Sequence, residues 1–91
     1  MSNKQAQLFY EGVVQGVGFR YRTLDMAEKF NLNGWVRNLP DGRVEIVVIG
    51  PEDDISGFME RLESSFGEYI RNKELIWHDK MENIKGFTIK F

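Results

Sequence analysis

Cysteine is absent from this chain, and histidine occurs once. The first absence removes disulfides, thiolate nucleophiles and every metal site built on thiolates. The second removes any relay that needs two imidazoles, and His78 reads as a strand-end side chain, at the surface or half-buried. Long apolar runs are missing too. None approaches the roughly 20 residues of a membrane span, and no apolar stretch at the N-terminus resembles a signal peptide. Nor is there a surplus of charge of one sign: 12 basic residues face 14 acidic ones, for a net charge of −2. Such a chain has no general attraction to nucleic acid or to anionic lipid, so an anion has to be caught locally. A fold without disulfide staples fits the cytoplasm.

What is present is an ordinary globular composition, with 42% hydrophobic and 29% charged residues, which argues against disorder. Residues 1–91 suffice for one domain and not for two, and a small domain with no unexplained apolar stripe is expected to be a monomer. Residues 6–14 are rich in β-branched and aromatic types and read as a strand. Residues 20–31 read as a helix, with Leu24, Ala27 and Phe30, and Phe19 and Tyr21 nearby, on one stripe. Residues 33–38 and 42–49 read as a hairpin across the turn signal Leu39-Pro40-Asp41-Gly42. A second helix follows Pro51, with acidic residues at 52–54 in its first turn and Gly67 as its stop. Its Ile55, Phe58, Met59, Leu62 and Phe66 make one apolar face. Residues 73–78 read as a fourth strand and 87–91 as a short fifth strand or edge. The order β-α-β-β-α-β predicts an α+β, ferredoxin-like sandwich: a mostly antiparallel sheet of four to five strands with two helices on one face.

The stretch "GVVQGVGFRYRT" at 12–23 lies between the first strand and the first helix. Gly12, Gly16 and Gly18 allow positive φ and close approach of a ligand to the backbone. The helix that follows opens with free N–H groups, and Arg20 offers a planar, always-charged fork beside them. It is not a Walker loop, because Phe19-Arg20 follows Gly18 where Lys-Ser/Thr would stand. It is not a dinucleotide fingerprint, because Tyr21 occupies the place of the third glycine. From these residues alone two readings stand side by side: an anion cradle, or a tight turn with Arg20 in a surface ion pair. Asn38 reads locally as a turn former. Asp53 and Asp54 read as helix-start residues rather than metal ligands, Trp35 and Trp77 as core or sheet-face residues, and Met26 and Met59 as core filler. Arg22, Lys29, Arg37 and Arg43 could add a positive rim to the loop, with a solvated surface as the plainer reading.

"GVVQGVGFRYRT" resembles the signature loop of the acylphosphatase family, and "GWVRNLPDGRVEIVVIG" at 34–50 is similar to that family's second motif, in the same order and spacing. With the alternating end at 86–91, the resemblance covers most of the chain. The stretch from Glu52 to Lys85 is less distinctive; "FGEYIRNKELIW" lacks the Gly-Pro-x-Ala type of step before the fourth strand, which bears on local packing and the substrate rim. The resemblance implies that Arg20 binds phosphate together with the main-chain amides of Gln15, Gly16, Val17, Gly18 and Phe19. It implies that Asn38 orients the attacking water. The expected partners are a small acyl phosphate and free phosphate or sulfate; no cofactor and no metal are expected. Such an inventory suits phosphoryl transfer that needs positioning and charge stabilisation more than proton delivery. A carboxylate leaves without a proton, since a carboxylic acid has a pKa of about 4. A phosphate-binding or carbamoyl-phosphate-binding module of the same fold is the alternative. An RNA-binding sheet, which uses the same element order, is disfavoured by the negative charge and by the lack of aromatics in "GRVEIVVI".

Overall fold

Alternation along the first strand sends Ala6, Leu8 and Tyr10 to one face, where all three are fully buried, and makes β1 (Asn3–Gly12). The computed structural model describes residues 3–91. After β1 come α1 (Phe19–Lys29), β2 (Asn33–Asn38), β3 (Val44–Pro51), α2 (Glu52–Phe66), β4 (Ile70–His78) and β5 (Phe87–Lys90). The sheet order is β4-β1-β3-β2-β5. The pairs β1/β3, β1/β4 and β2/β3 are antiparallel, and β5 adds to β2 in parallel. Each helix therefore carries the chain past one strand, which is the split β-α-β arrangement expected from the element order.

Both helices pack on the same face of the sheet and touch each other. The apolar face of α2 buries Ile55, Phe58, Met59 and Leu62, each contributing about 1.5–3 kcal/mol of transfer free energy as an upper estimate. Met26 and Met59 are core residues, as their helical spacing suggests. Central strand β3 is covered on both sides. Val44, Ile46 and Val48 face the helices, while Glu45, Val47 and Ile49 lie under the other face. Trp35 is half-buried on that other face, and Trp77, at the edge strand β4, is mostly outside the core.

Two details differ from the sequence reading. The strands β1 and β4 begin earlier than expected, at Asn3 and Ile70, because pairing with neighbours extends them: Asn3 stands opposite Pro51, and Gly12 opposite Ile70 across an irregular step. Tyr21 is not on the inward stripe of α1 and is 61% exposed. The helix starts at Phe19, so the residues that share its inward direction are Thr23, Met26 and Ala27, at i+4, i+7 and i+8. Thr23 is tolerated there because its hydroxyl donates to the Phe19 carbonyl, 2.8 Å away.

Candidate active site

The loop between β1 and α1 runs from Val13 to Gly18. Gly16 and Gly18 both sit at φ +78°, with open space where a Cβ would go. Glycine is needed there for backbone conformation rather than for want of room. Gly18 is the N-cap of α1 and contributes no side-chain cap, and the first turn holds no acidic residue. Among the described residues, the amides of Gln15, Gly16, Val17, Gly18 and Phe19 meet no main-chain or side-chain acceptor. A cavity of about 250 Å³ opens against this turn, lined by Val14, Gly16, Gly18, Phe19, Arg20 and Tyr21. A row of free N–H groups at the positive end of a helix is an arrangement with which an anion can be held.

Gly12 belongs elsewhere. It ends β1, and a Cβ on it would run into the Tyr69 carbonyl, whose oxygen accepts the Val13 amide at 2.8 Å. Its φ of +137° is positive, as the sequence reading expected, and its lack of a side chain also admits the close contact with the residue before β4.

Phe19 fixes the mouth of the helix. Its side chain is 1% exposed and packs between Tyr10, at 5.5 Å between ring centroids, and Phe66, at 4.8 Å. One turn residue thus offers its amide to the cavity and its ring to the core. Arg20 follows. Among the described residues no carboxylate lies within ion-pair distance of its guanidinium, whose Cζ is 5.0 Å from the centroid of the Phe91 ring. The reading of Arg20 as one half of a surface ion pair does not describe it.

Asn38 does not line the cavity. It is the last residue of β2, and the alternation that buries Val36 turns Asn38 to the same, helix-covered face. Its Oδ1 is buried with no hydrogen-bond partner among the described residues. A buried carboxamide oxygen without a protein donor is free to accept a hydrogen bond from a water or a ligand. The link between Asn38 and the loop is Gln15, whose Nε2 donates to the carbonyls of Leu39, at 2.9 Å, and Arg43, at 3.0 Å.

The basic rim does not assemble. Arg37 is paired with buried Glu45, and Arg43 with Asp41. Hydrogen bonds from the Arg43 amide and guanidinium hold the Asp41 carboxyl below the usual carboxylate range. Arg22 and Lys29 share the outer surface of α1 with Asp25 and Glu28. None of these four cations reaches the cavity.

The family model described as Acylphosphatase matches residues 6–89. The chain belongs to the acylphosphatase family. It is 40% identical over 86 residues to an acylphosphatase of Nostoc sp., covering 94% of this chain and 85% of the relative. The crystal structure of acylphosphatase from Bacillus subtilis superposes with a TM-score of 0.89 at 33% identity, covering 97% of this chain and 99% of that one. A full-length HypF, crystallised in a phosphate- and nucleotide-bound form, matches with a TM-score of 0.83 at 28% identity; the match spans 99% of this chain and 12% of that much longer one.

In this member of the acylphosphatase family the signature loop and the hairpin motif are neighbours in space, joined through Gln15. The sequence pointed to the Gln15 amide but not to its side chain. A long polar side chain inside a glycine loop, 24 and 28 residues from its acceptors, was the available signal. Phe19 was placed beside the apolar stripe of the first helix, but its ring partners Tyr10 and Phe66, distant in sequence, were not foreseen.

Proposed function

We propose that the chain hydrolyses the carboxyl–phosphate bond of small acyl phosphates to a carboxylate and inorganic phosphate, without a metal. The observation that carries this reading is the juxtaposition of loop amides and an Arg20 that have, among the described residues, no acceptor and no carboxylate partner. The phosphoryl group sits in the amides of Gln15 to Phe19, and Arg20 bridges two of its oxygens. Asn38 accepts a hydrogen bond from the attacking water at the Oδ1 that the protein leaves unsatisfied, and so aims the water's oxygen at phosphorus. The new O–P bond forms as the carboxylate O–P bond breaks. The carboxylate leaves with the bonding pair; one proton of the water passes to a phosphoryl oxygen, and the other stays on the oxygen now bound to phosphorus. The amides and Arg20 meet the charge that gathers on the phosphoryl oxygens.

Acylphosphatase-family membership and the curated names of the relatives support this reading of the chain as an enzyme. It is read as a single domain over residues 1–91, working as a monomer in the cytoplasm, where a chain without cysteine is at home. A phosphate-binding module without turnover is the second reading, favoured by the match to one segment of a far longer protein. Benzoyl phosphate hydrolysis followed in excess chelator decides between them. Turnover well above the buffer rate is expected. Phosphate binding in calorimetry without turnover would favour the module.

A further inference from the structure

We propose that the side chain of Gln15 is a positioning residue that sets the distance between the phosphate cradle and Asn38. This rests on the hydrolytic reading above. The carboxamide nitrogen of Gln15 has two hydrogens, and two carbonyl oxygens receive them: Leu39 at 2.9 Å and Arg43 at 3.0 Å. With the amide turned round, its oxygen would face both carbonyls, so the hydrogen-bond network fixes its orientation.

Those two carbonyls already close the hairpin. Leu39 donates its amide to Arg43 at 2.8 Å, and Gly42 donates to Leu39 at 3.1 Å. A carbonyl oxygen has two lone pairs, and Gln15 fills the remaining one on each. The turn is thus complete only with the loop residue seated in it.

Leu39 is the next residue after Asn38, and Gly16 is the next after Gln15. A single side chain therefore ties the first amide of the cradle to the strand end that presents Asn38. Among the described residues Asn38 has no donor at Oδ1 to set its direction. Its position relative to the phosphoryl group is inherited from the backbone, and Gln15 is the side chain that spans the two backbones. The cradle itself is built differently, by Gly16, Gly18 and the buried Phe19 ring. Loss of the staple should spare phosphate binding and impair in-line attack.

The test uses Gln15→Met, which keeps the length without donors, and Gln15→Glu, which keeps the shape but sets a carboxylate against two carbonyls. Each is made in the wild-type chain and in Asn38→Ala, with kcat and KM for benzoyl phosphate and Ki for inorganic phosphate. In the wild-type background Gln15→Met should lower kcat by about 10- to 100-fold, the scale of a small misplacement of a reacting group. The Ki for phosphate should change less than about threefold, which also reports a folded cradle. In the Asn38→Ala background the same substitution should lower kcat less than about twofold, because the group it positions is gone. Gln15→Glu should follow the same pattern. Unchanged kcat in a wild-type background overturns the inference, as does an equal fall in both backgrounds or a loss of phosphate affinity that matches the loss of kcat. A wild-type chain that does not turn over benzoyl phosphate would sink the proposed function, and this inference with it. A wild type that turns over while Gln15→Met is indifferent sinks this inference alone.

Discussion

The two helices begin in opposite ways. The first turn of α2 carries Glu52, Asp53 and Asp54, so its positive end is met by the protein's own carboxylates, and Glu52 is paired in addition with Lys4. The first turn of α1 carries no acidic residue; glycine precedes it, and Arg20 adds positive charge where convention would place a negative one. Helix dipoles favour anions at this end by about 0.3–1 kcal/mol in exposed settings. α2 uses that preference for stability. α1 forgoes it and is left able to take an anion from outside. A helix start without a carboxylate of its own is open to an external anion, as the proposed function requires, and its neighbour in the same small protein supplies the control.

The largest test removes the charge that most distinguishes α1. Arg20→Gln should lower kcat/KM for benzoyl phosphate by about 10³-fold or more, the scale of arginine in phosphoryl transfer. Arg20→Lys should recover little, since an ammonium lacks the planar fork. The thermal midpoint of both variants should stay close to wild type, because among the described residues Arg20 has no ion pair to lose. A Lys variant with near-native kcat/KM would mean that charge alone is enough.

A milder substitution makes α1 resemble α2. Tyr21 is the third residue of its helix, as Asp54 is of α2, and it is exposed. Tyr21→Glu should raise KM and the phosphate Ki by about tenfold, roughly 1.4 kcal/mol, while stability rises by about 0.3–1 kcal/mol as the helix gains its own anion. Tyr21→Gln is the neutral control and should do neither. Affinity unchanged in Tyr21→Glu would break the link between the bare helix start and anion binding. The reverse change, Asp53→Asn with Asp54→Asn, should cost about 0.3–1 kcal/mol per residue in urea unfolding and leave turnover as it was.

The contrast between the helices was partly legible in the sequence. Acidic residues at 52–54 are local and need no tertiary knowledge, and the same is true of the glycines at 16 and 18, whose positive φ is a property of the backbone. Element order was legible for a similar reason, since periodicity is local. What escaped was set by contacts between distant residues. Gly12 looked like a loop glycine until β4 was laid against it, and Tyr21 looked inward until the helix start was fixed at Phe19. Glu45 gave no sign of being buried. Its carboxylate is held at the sheet face by Arg37 and by Gln7, whose Oε1 in turn meets His78 at 2.8 Å. That network depends on the β1/β3 register, which a single sequence does not state. At the site, the unsatisfied Oδ1 of Asn38 and the staple through Gln15 were out of reach for the same cause.

One residue joins the two helices beneath the sheet's covered face. Tyr10 touches the Phe19 ring at the start of α1, and its hydroxyl donates to Glu63 of α2 at 2.7 Å. Glu63 also pairs with Lys73 at 2.6 Å. Burial, then the hydrogen bond and charge of Glu63, raise the Tyr10 hydroxyl above the ordinary tyrosine value of 10.0. A group whose folded value is raised keeps its full stabilising contribution below the unfolded value and loses it as pH climbs beyond. The native state should therefore weaken above pH 10 by about 1.4 kcal/mol per pH unit for this one proton. Tyr10→Phe keeps the ring against Phe19 and removes the proton. It should cost about 1 kcal/mol at pH 7 through the lost hydrogen bond and leave kcat within about twofold, with a shallower alkaline slope. Urea unfolding at pH 7, 10 and 11 measures all of this. Equal slopes in the two proteins would mean that the alkaline weakness lies elsewhere. A fall in kcat would mean that the start of α1 depends on α2 through Tyr10, and that the two helix ends are not independent.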